Sequence, residues 1–147
     1  MRIFVMNGPN LDMLGKREPE KYGSQTLKDL ENLIQNTYPY HIFTFFQNNH
    51  EGNIIEQLHE LVHQPETEGL IGNFAGFTHS SVAIRDALHM ISIPKIEVHI
   101  TNIHAREQFR HTSLTAGACD GVIAGLGFNS YILAVRALEL IHRTKSV

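Results

Sequence analysis

Short β-rich apolar runs recur along the chain at 3–5, 41–46, 70–72, 95–99 and 122–124, and a polar turn follows each of them. Between the runs the apolar positions change to a three-four spacing, which gathers them on one face of a helix. Leu27, Leu30, Leu33 and Ile34 form the first stripe, and Ile54, Ile55, Leu58, Leu61 and Val62 the second. Val82, Ala83, Ala87, Met90 and Ile91 form the third, and Tyr131, Ala134, Val135, Leu138 and Ile141 the fourth. Thr26, with Asp29 three residues on, is placed to cap the first helix. Thr78 or Ser80 is placed to cap the third, and a shorter helix is expected over 105–109. Strands too apolar to keep a wet face, alternating with helices, imply a parallel sheet covered on both sides. The expected architecture is one three-layer, doubly wound α/β domain spanning 1–147.

Ligands of such sheets sit beyond the carboxyl ends of the strands. Polar segments at 7–22, 47–51, 73–79 and 99–110 follow the first four strands and are expected to converge on that edge. The first is much longer than the roughly two to six residues that usually join a strand to a helix. Gly8, Gly15, Gly23, Pro9 and Pro19 divide it into turns, and Asn10, Arg17 and Tyr22 are polar groups able to meet a ligand. A binding loop carrying a mobile lid over about 15–24 accounts for this layout.

Composition narrows the ligand. With 147 residues, 42% apolar and 18% charged, the chain holds one sizeable core. A net charge of -3 and a pI near 6.3 leave no basic footprint for nucleic acid, so the expected partner is a small molecule. Cys119 is the only cysteine, which excludes an intramolecular disulfide. The first residues lack the layout of a signal peptide, and no apolar run approaches the roughly 20 residues that span a bilayer. A cytoplasmic enzyme or binding protein, with no contact to membrane, is expected.

Several segments carry candidate chemistry. His59-Glu60-Leu61-Val62-His63 has the zinc-protease spacing, but the apolar stripe of its helix turns His63 toward solvent and His59 to the flank, and Gln64-Pro65 ends the helix at once. A solvated helix face is the simpler account, and no metal site is expected. Asn7-Gly8-Pro9-Asn10 is neither a dinucleotide fingerprint nor a Walker loop, although Asn10 at a strand end can hold a ligand oxygen or a water. In 73–81, Asn73 and His79 are not needed for capping and are candidates for ligand contact. Asp86 is a candidate too, against an ion pair with Arg85. The densest region is 97–110. Glu97 and His99 share one side of a strand, where the carboxylate can fix the tautomer of the imidazole and raise its basicity. The N–H groups of Ile100 and Thr101 can open toward an anion if the chain turns there, and Arg110 supplies a fork for oxygen ligands. A non-catalytic module binding a small ligand or a flavin is the alternative to an enzyme.

Together these segments resemble type II 3-dehydroquinate dehydratase. The similarity runs over almost the whole chain, through NGPNLDMLGKREPEKYG at 7–23, QNNHEG at 47–52, NFAGFTHSSVAIRDAL at 73–88, EVHITNIHAREQFR at 97–110 and GVIAGLGFNSY at 121–131. The resemblance implies a flavodoxin-like fold with a five-stranded parallel sheet and a homododecamer built as a tetramer of trimers. It also implies a reaction without metal or organic cofactor, the dehydration of 3-dehydroquinate to 3-dehydroshikimate in the shikimate or quinate pathway. Position by position it makes Tyr22 the base and His99 the acid, with Arg17 beside the tyrosine, Asn10 near the developing enolate and Glu97 orienting the acid. Asn73, His79 and Arg110 match substrate-contacting positions, and the backbone of Ile100 and Thr101 matches the carboxylate site. Asp86 matches an aspartate that reaches a neighbouring subunit's site. The chain departs from the commoner family wording at Phe74, Ser80 and Thr101, small changes around the ligand groups.

Overall fold

A computed structural model describes every residue except 17, 19, 21, 22, 146 and 147. Strands β1 (Arg2–Asn7), β2 (Ile42–Gln47), β3 (Gly69–Asn73), β4 (Lys95–His99) and β5 (Gly121–Ala124) form one sheet in the order β2-β1-β3-β4-β5. Every neighbouring pair runs parallel, as the alternation of strands and helices requires. Helices α1 (Leu27–Thr37), α2 (Glu51–Val62), α3 (Val82–His89) and α4 (Asn129–Lys145) connect or follow them.

Successive side chains of a strand point to opposite faces, and here each face has its own core. Ile3, Val5, Ile71, Ile96 and Val98 pack with Leu30 and Ile34 of α1 and with Tyr131, Ala134, Val135 and Leu138 of α4. Phe4, Met6 and Leu70 pack with Ile54, Leu58 and Leu61 of α2 and with Ile84, Ala87 and Leu88 of α3. Each such aliphatic side chain, once fully buried, contributes about 1.5–3 kcal/mol before entropy is counted. The result is the three-layer, flavodoxin-like arrangement expected from the sequence.

The differences are local. The edge strands keep wet positions, with Ile42 of β2 and Val122 of β5 exposed, because each has a neighbour on one side only. Val62, Val82 and Met90 are exposed rather than core, since they stand at helix ends where the stripe rotates out. The capping box of Thr26 and Asp29 forms as expected. The cap of α3 is neither Thr78 nor Ser80 but Ser81, whose Oγ accepts from Ile84 N at 2.9 Å. The preceding 3-10 turn Ala75–His79 takes up Thr78 and displaces the helix start. Over 105–109 two short 3-10 turns, Ile103–Ala105 and Gln108–Arg110, replace the expected helix, because Arg106 between them is extended at φ -112° and ψ -163°.

Candidate active site

Strand order reverses at β1, which lies between β2 and β3, and the crevice beyond such a switch point is where ligands enter this class of sheet. A cleft opens there, partly enclosed and partly open to solvent. Its walls come from the loop after β1 (Pro9, Asn10, Leu11), the turn after β3 (Asn73, Ala75, His79) and the segment after β4 (His99 through Arg110). The 47–51 segment, expected to join them, stands behind. Asn49 Oδ1 accepts from Asn10 N at 2.9 Å and Gln47 Nε2 donates to Gly8 O at 3.1 Å, so it braces the first loop from outside.

That loop is held close to β3. Gly8 N donates to Asn73 O at 2.8 Å, and a Cβ at Gly8 would stand 2.7 Å from Phe74 O, so only glycine allows the approach. Asn10 follows with a left-handed backbone, φ 71°, and projects at the rim. Gly15, φ +85°, lies so near Ser24 that a Cβ would meet Ser24 O at 2.7 Å, so the two ends of the expected lid adjoin. Arg17 and Tyr22, on which that lid depends, lie outside the described residues.

At the centre, His99 and Glu97 form the pair read from the strand. His99 Nε2 stands 2.9 Å from Glu97 Oε2, with Glu97 fully buried and His99 nearly so. Burial alone would push the Glu97 carboxyl up. Hydrogen bonds from His99, Thr115 and Ser113 more than offset it and hold the group below its ordinary value. The pair is therefore an ionised carboxylate against an imidazole N–H, with the other ring edge on the cleft. The ring of His79 stacks near that of His99, centroids 6.3 Å apart, and His79 Nδ1 donates to Thr112 O at 2.8 Å. Burial lowers the His79 pKa against the opposing pull of that bond, so its imidazole is the favoured form.

Asn73 has a double task. Its Nδ2 donates to the Tyr131 hydroxyl at 2.9 Å, its Oδ1 accepts from Ala75 N, and Tyr131 in turn donates to Asn7 Oδ1 at 2.6 Å. This buried Asn7–Tyr131–Asn73 chain ties the ends of β1 and β3 to α4. Beyond β4 the chain turns as expected. Neither the Ile100 nor the Thr101 N–H donates to an acceptor among the described residues, and both residues line the cleft. Arg110 also lines it, with Nε donating to Glu107 Oε2 at 2.9 Å.

A family model of dehydroquinase class II matches residues 1–139. The chain belongs to the class II dehydroquinases. Among members with curated names, the 3-dehydroquinate dehydratase of Chlorobaculum tepidum is 49% identical over 92% of both chains. That of Bacillus pumilus is 53% identical over 92% of both. Among solved structures, the type II dehydroquinase of Butyrivibrio crossotus superposes with a TM-score of 0.91 at 44% identity, covering 95% of this chain and 97% of that one. A 3-dehydroquinate dehydratase-like protein from Bifidobacterium longum is more distant, with a TM-score of 0.68 at 28% identity and 94% of each chain covered.

Within this class II dehydroquinase chain, the cleft brings together Asn10, Asn73, His79, His99, Ile100, Thr101 and Arg110, with Glu97 directly behind His99. Asp86 does not join them. It is exposed on α3, away from the cleft of its own chain, and Arg85 beside it spends Nη1 on Leu114 O. His59 and His63 are exposed, and no cluster suited to a metal ion occurs among the described residues. Sequence reasoning missed Arg106, which lines the cleft inside a motif already singled out. It also missed Tyr131, counted as core, and the hydroxyls of Ser113 and Thr115.

Proposed function

We propose that this chain dehydrates 3-dehydroquinate to 3-dehydroshikimate through an enolate, as a hydro-lyase that needs neither metal nor organic cofactor. The observation that carries this reading is the Glu97–His99 pair, its imidazole edge turned to a cleft that also holds guanidinium groups, in a chain of this family. Loss of water from a β-hydroxy ketone needs a base for the carbon acid, a group to hold the enolate and an acid for the departing hydroxyl. His99, as imidazolium against Glu97, donates to the leaving oxygen. Asn10 holds a water against the enolate oxygen. Asn73 and His79 meet substrate hydroxyls, while Arg110 and the N–H groups of Ile100 and Thr101 receive the carboxylate.

Tyr22 serves as the base. A free phenol is only about one part in a thousand ionised at neutral pH, so the role needs a cation beside it, and Arg17 supplies that charge. Closure of the loop over bound substrate excludes water and completes the site. The chain assembles as a homododecamer, a tetramer of trimers, in which Asp86 serves a neighbour's cleft. Exposed apolar side chains such as Met90 and Val122 support burial against further copies. The enzyme works in the cytoplasm, in the shikimate route to aromatic amino acids or in quinate breakdown. No helix among the described residues is long and apolar enough to cross a membrane.

The test mixes purified protein with 3-dehydroquinate and follows the conjugated enone by ultraviolet absorbance. Steady growth of the enone is expected, and its absence refutes the reading. In Tyr22→Phe, turnover is expected to fall by about three orders of magnitude or more while ligand binding largely survives, because an aromatic ring without its hydroxyl packs but takes no proton. Near-parent turnover in that variant would remove Tyr22 from the mechanism.

A further inference from the structure

We propose that Ser113 and Thr115 are positioning residues of the site, their hydroxyls clamping the Glu97 carboxylate so that His99 keeps one proton on Nε2 and turns Nδ1 toward the reaction. The inference rests on the dehydratase reading for its kinetic consequences, though not for its geometry.

Glu97 is fully buried, and a buried carboxylate is costly unless its oxygens are matched by donors. Ser113 Oγ donates to Oε2 at 2.9 Å, the oxygen that also takes His99 Nε2, and Thr115 Oγ1 donates to Oε1. A hydroxyl has one proton to give, and for Ser113 the carboxylate at 2.9 Å is a nearer and stronger acceptor than the Thr115 hydroxyl at 3.3 Å. Ser113 Oγ accepts from Ala116 N at 2.9 Å, which leaves its own proton for Glu97. Thr115 is fully buried and neither residue lines the cleft, so they act through Glu97 and not on a ligand.

The segment that carries them is fastened on both sides of Leu114. Leu114 N donates to Thr78 O at 2.8 Å, and Leu114 O accepts from Arg85 Nη1 at 2.7 Å. Two residues earlier, Thr112 O takes the proton of His79 Nδ1, which leaves Nε2 of that ring as the acceptor. A single strap at 112–115 thus sets the proton address of both imidazoles beside the cleft. Two hydroxyl donors also favour the carboxylate over the carboxylic acid. Without them the Nε2 proton of the imidazolium form shifts toward Glu97, leaving a neutral ring with its proton on Nδ1, and the pair becomes a weaker acid that releases its proton at higher pH.

The experiment compares Thr115→Val, which is nearly isosteric, with Thr115→Ser and Ser113→Ala. It measures kcat and KM for 3-dehydroquinate across pH, together with nitrogen-15 NMR of the His99 ring in the resting enzyme. In Thr115→Val, kcat is expected to fall about ten- to a hundredfold, as for a lost hydrogen bond to a charged group, with KM within about twofold. The limb of the pH profile that reports the pair is expected to rise by about half a pH unit or more. Thr115→Ser restores both, and the ring nitrogens show the Nε2 proton partly lost only in Thr115→Val. A folded Thr115→Val with parent kcat, parent pH limb and parent ring signals overturns the proposal. If that variant does not fold, Ser113→Ala decides by the same readouts, with a drop in kcat of about three- to tenfold expected and parent values overturning it. Should the parent itself leave 3-dehydroquinate unchanged, the dehydratase reading falls, while the NMR comparison still decides the clamp.

Discussion

Two histidine–glutamate pairs of almost the same geometry occur in this chain, and only one of them opens on a cleft. His99 Nε2 lies 2.9 Å from Glu97 and His41 Nε2 lies 2.8 Å from Glu139, and all four side chains are largely buried. The difference is in the second ring nitrogen. His41 Nδ1 stands 3.0 Å from the Met1 amino group, and Tyr38 and Tyr40 pack against the ring at centroid distances of 5.9 and 4.6 Å. Glu139 is also engaged by Arg136 and by the Tyr40 hydroxyl. Every direction around His41 is occupied, so the pair fastens the start of β2 to α4. His99 spends one nitrogen on Glu97 and presents its other edge to the cleft. A histidine–carboxylate pair is therefore not a site by itself; the unspent nitrogen, facing a cleft at the switch point of the sheet, makes it a candidate for one.

Paired substitutions put that contrast to its hardest test. His99→Asn is expected to lower kcat by about three orders of magnitude or more while leaving the urea midpoint near the parent's, because the group lost is the proposed acid. His41→Asn is expected to do the reverse. The folded enzyme keeps its kcat, and stability falls by about 1–2 kcal/mol as Glu139 and the Met1 amine lose a partner. Equal losses of turnover in the two variants would erase the distinction. A smaller effect comes one bond further back. Glu97→Gln keeps the shape but removes the counter-charge of the imidazolium, and kcat is expected to drop about a hundredfold. Glu139→Gln is expected to leave kcat within twofold or so.

The sequence disclosed what depends on local geometry. Glu97 and His99 are two apart on a strand, so their shared side follows from the pleat alone. Thr26 and Asp29 satisfy each other within one helical turn, and that too was legible. Ser113 and Thr115 could not be paired with Glu97 in this way, because their meeting depends on the chain returning past Thr78. Tyr131 sits at a correct helical spacing for the core, and its hydroxyl is the only hint of the Asn7–Asn73 link. A buried tyrosine hydroxyl needs a partner, which is the signal that was available. The cap of α3 and the segment 105–109 were misplaced for one reason. Short 3-10 turns take up residues that local pattern assigns to a helix, and tertiary hydrogen bonds decide where they stop.

The smallest expected effect separates the two pairs by acid. Glu97 and Glu139 both have folded pKa values below the ordinary 4.5, Glu97 because donors from His99, Thr115 and Ser113 outweigh its burial, and Glu139 chiefly because of the Arg136 bond. A carboxyl depressed by folding contributes its full stabilisation above 4.5. Below that value the unfolded chain takes up protons first, and the contribution is lost as pH falls through the folded pKa. Urea midpoints measured between pH 5 and pH 3 are therefore expected to decline, and Glu97→Gln and Glu139→Gln are each expected to flatten part of that decline. The flattening should be greater for Glu97→Gln, whose carboxylate is fully enclosed, than for Glu139→Gln, whose main partner Arg136 stands half in water, so that the effect there is about 1 kcal/mol or less. If the two slopes change equally, enclosure of Glu97 does not add to what its hydrogen bonds contribute, and the two pairs differ only in what their second nitrogen meets.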